Sequence, residues 1–390
     1  MRYCHAKVFL GEAGFVKAGF SVENGRFRNI SPESGKGHPL SSERDADNTD
    51  TEPSVDLGGL LVLPGLVDMH IHGNSGCDFS DGSEDGLRRI GTYLASRGVT
   101  TFAPASMTLP YDVLERAFYT ACQYRTDRPE AGARLAGIHM EGPFFSEKRR
   151  GAQNREYLKA PDAQAVFRLQ EACGGLIRVV DIAPELPGAV EFIREVSSCC
   201  RVSAGHTDAS YEEASAAFSA GASHVTHLFN AMPPLHHRTP GLIGAACEQA
   251  NVTAELICDG LHIHPSVIRM AFRLFPGQIC LISDAMRCCG MPDGVYELGG
   301  QQVTLKDRAA RLSDGTLAGA SSDLFEDMVN AIHFGIPVTE AVTAASLTPA
   351  EVLGAAEEVG SIEKGKKADF LVCDESWNLK QVYMDGIRIR

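Results

Sequence analysis

Between Gly59 and Asp284 the chain repeats one pattern eight times: a short, β-rich apolar run, then a longer stretch of helix formers. The runs are residues 59–70, 98–105, 135–140, 177–183, 201–206, 223–228, 252–258 and 278–284. Two of the stretches between them, 83–97 and 210–220, carry helix formers at helical spacing. Strands separated by helices pair in parallel, because each helix carries the chain back to where the next strand begins. Eight such units over roughly 280 residues match an α/β fold of the (β/α)8 TIM type, which typically takes about 250 residues. In that fold the reactive groups sit at the C-terminal ends of the strands.

The two ends of the chain read differently. Residues 7–10 and 19–22 are strand-like and are followed by the turn signal Glu23-Asn24-Gly25. The tail repeats the habit, with strand-like residues 368–372 and 381–384 before Asp385-Gly386. Both ends are expected to pair as one small β-sandwich domain, residues 1–64 with 349–390, leaving 65–348 for the barrel. From Ser31 to Ser54 the only apolar residues besides proline are Leu40 and Ala46, too few to bury. Residues 31–54 are therefore expected to form a flexible insertion.

Composition narrows the partners. Among 390 residues, 50 are acidic and 36 basic, a formal charge of −14. That balance argues against a nucleic-acid or anionic-membrane partner, which requires a basic face. An anionic substrate would need local cations to hold it against the overall field. The 12 cysteines are scattered, contain no CxxC pair, and include two vicinal pairs that would make strained bridges. Free thiols in a reducing cytoplasm are the expectation. The first residues lack the sustained apolar stretch of a signal peptide, and Pro64-Gly65 interrupts the best candidate membrane span.

The polar residues that close the apolar runs carry the chemistry. The first run leads into His70-Ile71-His72 and the third into His139-Met140-Glu141. The fifth ends at His206, the sixth contains His227, and the eighth ends at Asp284. In a barrel these ends converge on one mouth. Imidazole and carboxylate are the donors a hydrolytic Zn²⁺ or Fe²⁺ requires. Residues i and i+2 of a strand share a face, so His70 and His72 can reach one ion. The pair alone is not diagnostic, since His262-Ile263-His264 repeats it.

The run Pro64-Gly65-Leu66-Val67-Asp68-Met69-His70-Ile71-His72 resembles the metal motif of the amidohydrolase superfamily. Gly137-Ile138-His139-Met140-Glu141-Gly142-Pro143-Phe144 resembles the HxEGP signature of the N-acetylglucosamine-6-phosphate deacetylases. The likeness continues in order through Val202–His206, Thr226–Met232, Asp259–His262, Ser283–Met286 and Leu317–Gly319, across nearly the whole chain. The resemblance implies metal-dependent removal of the N-acetyl group from N-acetyl-D-glucosamine 6-phosphate. It implies that Glu141, His206 and His227 bind the principal divalent metal, zinc or iron. Asp284 would be the general base, taking a proton from the attacking water and later giving one to the departing amine. Because this chain keeps both His70 and His72, a second metal is expected there, with Glu141 bridging.

For the substrate, the resemblance points to backbone N–H groups of Asn230 and Ala231 at the phosphate, with Arg238 as a fork-shaped cation. In the resembled family that arginine can act across a subunit interface, which implies a homodimer. Asp259, Gly260, Leu261 and His262 fall to substrate binding, with His262 at the sugar and the amide carbonyl. Leu317, Ala318 and Gly319 would cover the acetyl and sugar region. Ala152 and Gln153 lie in a substrate-contacting loop where some relatives carry histidine in place of Gln153. His224, His236, His237 and His264 receive no role beyond surface or packing. The fourth run, 177–183, has no lysine, which counts against subfamilies that bridge two metals with a carboxylated lysine. Two alternatives remain at this point: the galacto epimer of the substrate, or another cyclic-amide amidohydrolase. A scaffold that has lost its metal would have eroded ligands, yet all are present.

Overall fold

The computed structural model describes residues 1–32 and 53–390. Each of the eight apolar runs contains a strand: Leu66–Ile71, Val99–Pro104, Ile138–Met140, Ile177–Ile182, Arg201–Ala204, His224–Val225, Thr253–Ile257 and Ile279–Ile282. They lie side by side in chain order and run parallel. Between the second and third, Arg134–Leu135 pairs with Val99–Pro104, and Ala105 bridges to His139. The first and last strands also meet, because the backbone N–H of Asp284 donates to the His70 carbonyl at 3.0 Å. The result is a curled parallel sheet, the inner wall of a TIM-type barrel domain.

These strands are buried on both faces, so their sequences are near-continuously apolar rather than alternating. Leu66–Ile71 is buried at every position. Val67, Met69, Val179, Ile257 and Ile282 belong to one interior cluster. The expected helices form around the sheet. Glu84–Ser96 begins at Ser83, whose hydroxyl accepts from Gly86 N–H, and buries Leu87, Ile90 and Leu94. Tyr211–Ala220 starts with a capping box between Ser210 and Glu213.

The first run does not form one strand. It divides at Pro64-Gly65 into Leu61–Pro64, which joins the small sheet, and Leu66–Ile71, which enters the barrel. A Cβ on Gly65 would sit 2.1 Å from Thr100 Oγ1, so only glycine passes this hand-over point.

Both termini build a single hydrogen-bonded sheet. Ile387–Arg388, Leu379–Met384, Phe370–Cys373, Leu61–Pro64, Arg2–Phe9, Phe15–Glu23 and Arg26–Pro32 follow one another across it. Its core is aromatic: the Phe370 and Tyr383 rings stack at 4.3 Å and those of Tyr3 and Phe20 at 4.9 Å. The hairpin turns Asn24-Gly25 and Asp385-Gly386 have positive φ at both residues, as the residue types foretell. Arg134, on the barrel side, donates to Asp369 at 2.9 Å and to Asp385 at 3.0 Å, and so pins this sheet to the barrel.

The expected insertion is shorter than 31–54. Ser31 and Pro32 end the strand Arg26–Pro32, and Ser54 opens Ser54–Asp56, which pairs with Arg2–Phe9. The remainder of that expectation lies outside the described residues. A three-stranded antiparallel sheet, Gly294–Leu298, Gln301–Lys306 and Ala309–Leu312, has no counterpart in the sequence reading. All twelve cysteines are free, as expected. Among the described residues no helix is long and apolar enough to cross a membrane.

Candidate metal and substrate site

His206, His227 and Asp284 share an unusual backbone. Each stands just past the end of its strand with positive φ, 47°, 29° and 47°. Non-glycine residues in this region are strained, and such strain collects where a side chain must be aimed. Here it ends the ladder and turns each side chain into the mouth. It also explains why the strand inside 223–228 is only two residues long: Thr226–Leu228 belongs to the turn that presents His227.

Two donor groups result. Glu141 Oε1 lies 3.0 Å from His206 Nε2 and 3.2 Å from His227 Nε2, and those nitrogens are 3.0 Å apart. Beside them, Asp284 Oδ1 lies 3.7 Å from His70 Nε2 and 3.3 Å from His72 Nε2. Glu141 spans both groups, with His72 Nε2 3.3 Å from its Oε2 and His70 Nε2 3.8 Å from its Oε1. All six residues are buried.

The hydrogen bonds on the far side of the rings assign the tautomers. Nδ1 of His70 faces a Glu255 oxygen at 2.9 Å, that of His72 the Ala105 carbonyl at 3.2 Å, and that of His206 the Arg149 carbonyl at 3.1 Å. Each Nδ1 must therefore donate, which turns Nε2 towards the carboxylates: protonated it donates to them, and neutral it offers its lone pair to an ion. Three atoms ligating one ion at about 2.05 Å in a tetrahedron would stand roughly 3.3 Å apart. The Glu141–His206–His227 triangle has that size, so its donor set fits a divalent ion. The electrostatics agree with a site built for positive charge. Burial would lower the His227 pKa, but the hydrogen bond and charge of Glu141 raise it to about 9. Burial would raise Glu141, but hydrogen bonds from His206, His227 and His72 hold it well below the usual carboxylate range.

The groups lie at the base of a cavity of about 590 Å³. Of the residues expected at the substrate, Ala152, Gln153, Asn230, Ala231, His262, Leu317, Ala318 and Gly319 line it. Gly319 packs closely over Asp284, since a Cβ there would lie 2.7 Å from the Asp284 carbonyl oxygen.

Other expected residues stand elsewhere. The Asp259 carboxylate is taken up by His262 Nδ1 at 2.7 Å and by two backbone N–H groups, so it orients His262 rather than facing the cavity. Leu261 is 48% exposed, and Gly260 lies against Phe334; neither lines the cavity. Arg238 is also outside the lining and donates to His237 at 2.6 Å on the surface. Gln153 is not free to meet a sugar hydroxyl: its Nε2 donates to Glu141 Oε2 and its Oε1 accepts from Thr108 N–H, both at 2.7 Å. The Asn230 N–H donates to the His227 carbonyl, so it is spent inside the loop.

Some lining residues received no role in the sequence reading, although Arg149 and Arg150 open the loop that holds Ala152 and Gln153. Lys148, Arg149 and Arg150 border the cavity. Lys148 and Arg149 pair with Asp208, while Arg150 donates to the Gln153 carbonyl. Three consecutive cations in an acidic chain are a visible signal in the sequence, and the structure places them at the rim of the cavity. His224 proves to be fully buried, whereas His236, His237 and His264 are exposed.

The model of the amidohydrolase family matches residues 61–388. An N-acetylglucosamine-6-phosphate deacetylase of Bacillus subtilis is 39% identical over 92% of this chain and 89% of its own. An N-acetylgalactosamine-6-phosphate deacetylase of Escherichia coli O157:H7 is 34% identical over 84% of this chain and 87% of its own. Among solved structures, a mutant N-acetyl-D-glucosamine-6-phosphate deacetylase of Mycobacterium smegmatis in complex with N-acetyl-D-glucosamine-6-phosphate superposes with a TM-score of 0.89 at 31% identity, over 100% of this chain and 99% of that one. The chain belongs to the amidohydrolase family and, within it, to the N-acetylglucosamine-6-phosphate deacetylases.

Proposed function

We propose that this chain hydrolyses the N-acetyl group of N-acetyl-D-glucosamine 6-phosphate, giving D-glucosamine 6-phosphate and acetate. The observation that carries this reading is the Glu141–His206–His227 triangle facing Asp284 at the base of the cavity. The 39% identity to a deacetylase of that name over most of both chains names the substrate.

Glu141, His206 and His227 would hold the principal divalent metal, zinc or iron; His70, His72 and Asp284 would hold a second, with Glu141 between them. Such an ion polarises a carbonyl oxygen and lowers the pKa of water towards roughly 7. Asp284 accepts the proton of the attacking water. Burial would raise its pKa, but the His72 hydrogen bond and the charges of His70, His72 and His227 keep it low and ionised at neutral pH. It then returns the proton to the departing amine. His262 Nε2 donates to the Ala318 carbonyl at 2.8 Å, and a substrate carbonyl entering beside that loop can take over the donor. Asp259 keeps His262 in that orientation.

We also read the strand circuit as a closed (β/α)8 barrel over 65–348, and the sheet of 1–64 and 349–390 as a sandwich around its aromatic core. The free thiols support a cytoplasmic setting. The phosphate falls to Ala231 and Arg238, while Asn230, whose N–H closes the loop on the His227 carbonyl, lines the cavity beside Ala231. Because Arg238 does not line its own cavity, the role assigned to it needs a second subunit that brings it into the neighbouring mouth. Arg238→Ala should therefore raise KM for the phosphorylated substrate by roughly 10-fold or more while kcat changes little, as expected when a charge-assisted contact is lost. Equal loss on unphosphorylated N-acetylglucosamine, or a monomeric wild type in sedimentation, would sink that assignment.

The function itself is tested by release of free amine from N-acetylglucosamine 6-phosphate, with and without chelation. Activity should vanish on chelation and return with divalent metal. No product from the gluco phosphate, or faster release from the galacto epimer, would overturn the reading.

A further inference from the structure

One layer beneath the donor groups lies a second polar layer. Glu255, on the strand Thr253–Ile257, is fully buried in the barrel interior, where an unsatisfied carboxylate would be costly. It is fully engaged. Its Oε2 accepts from His70 Nδ1 at 2.9 Å and from the backbone N–H of His227 at 3.0 Å. Its Oε1 takes His224 Nε2 at 3.2 Å and faces His139 Nδ1 at 3.5 Å. Two of these neighbours are held from behind: His139 Nε2 by Asp181 at 2.8 Å, and His224 Nδ1 by the Thr253 hydroxyl at 2.6 Å.

The partners of Oε2 are the notable pair. His70 belongs to the His70–His72–Asp284 group and His227 to the Glu141–His206–His227 group. One carboxylate oxygen thus touches a member of each. At His227 it fixes the backbone at the strained φ that aims the ring. At His70 it does more. A carboxylate can only accept, so His70 carries its proton on Nδ1 and presents the Nε2 lone pair to the mouth. That Nε2 is buried and has no hydrogen-bond partner among the described residues, an arrangement that is unfavourable unless something fills it. His72 and His206 have backbone carbonyls in the same role, so His70 alone among the three gains its basicity from a full negative charge.

We propose that Glu255 is the positioning residue that sets the His70 tautomer and thereby creates the second metal site, while tying it to the first through the His227 backbone. This rests on the dinuclear reading above. A second ion then depends on a residue that never touches it, and the loss should be selective. Removing the charge with Glu255→Gln should weaken the second ion by roughly 10–100-fold, the usual cost of losing a carboxylate behind a ligating histidine. The first ion meets Glu255 only through the His227 backbone N–H, which the amide oxygen of Gln can still accept, so it should change by less than about threefold.

The test is a competition titration of metal-stripped full-length protein with Zn²⁺ against a chromophoric chelator, for wild type, Glu255→Gln and Asp181→Asn. The last removes a buried charge of the same layer that has no contact with His70, and should leave both affinities in place. Nitrogen-15 spectra of histidine-labelled, metal-free wild type, with His70 identified by its absence in His70→Asn, read the tautomer directly. The expected result is an Nδ1–H His70 and a selective loss of the second ion in Glu255→Gln. An Nε2–H His70 in wild type, an unchanged second affinity in Glu255→Gln, or an equal loss in Asp181→Asn would overturn the proposal. If wild type binds a single ion, the dinuclear reading fails, and the tautomer alone decides whether Glu255 positions His70. The tautomer measurement needs no variant of Glu255, so it also stands if Glu255→Gln does not fold.

Discussion

Asp284→Asn should lower kcat for N-acetylglucosamine 6-phosphate by roughly 10²–10⁴-fold, the range spanned by positioned proton transfer. The substitution keeps shape and volume, and the backbone bond from residue 284 to the His70 carbonyl is unaffected, so the barrel should fold as before. What is lost is an acceptor. The carboxylate is held ionised by the neighbouring imidazoles, whereas an amide has no comparable basicity. Substrate affinity should change little if, as proposed, the sugar and phosphate are held by other residues lining the cavity, such as Ala231 and His262. Asp284 also borders His70 and His72, so metal content has to be measured alongside turnover. Retention of the first ion with loss of turnover is the expected pattern. Turnover within a few fold of wild type would remove Asp284 from the mechanism.

The barrel was legible because its strands are buried on both faces and read as uninterrupted apolar runs; each of the eight contains an observed strand. The site was legible for a related reason. A buried strand that ends in His or Glu breaks its own pattern, and His70, Glu141, His206 and His227 stand at such breaks. Contacts between distant elements left no local trace. Nothing in the sequence distinguishes Glu255 from an ordinary strand glutamate, since its four partners come from residues 28 to 185 positions away. Asp259 and Gln153 were placed at the substrate because they sit in motifs, yet hydrogen bonding turns them towards His262 and Glu141 instead. The small sheet at residues 294–312 lies past the last of the eight runs, in a stretch given no element, and its strands expose every other residue instead of forming continuous apolar runs. Arg238 shows a further limit: its side chain faces outward, and a role for it depends on a subunit that the sequence of one chain does not position.

The largest loss is expected from Glu141→Gln, and Gln153 is the reason. The Gln153 side chain has a fixed orientation: Thr108 N–H requires its Oε1, so its Nε2 must donate to the carboxylate. A glutamine amide introduced at position 141 must meet that donor with its oxygen. Its nitrogen is then forced into the place of Oε1, between the Nε2 lone pairs of His206 and His227. There it donates hydrogen bonds where an ion would sit, which satisfies the imidazoles and keeps the fold intact. The variant should thus be well folded but unable to hold the first ion, with affinity reduced by more than about 100-fold, beyond the loss typical of a residue that only supports a ligand. Turnover should fall at least as far as in Asp284→Asn, and saturating Zn²⁺ should not restore it. Metal content after gel filtration, read beside the thermal melting curve, separates this outcome from simple unfolding. The companion Glu141→Gln/Gln153→Leu removes the donor that dictates the amide orientation, so the new side chain can turn its oxygen towards the histidines. Some metal affinity should return in the double variant. If Glu141→Gln alone retains a full complement of metal, the carboxylate charge is not what holds the ion, and the ligand set built on Glu141 is wrong.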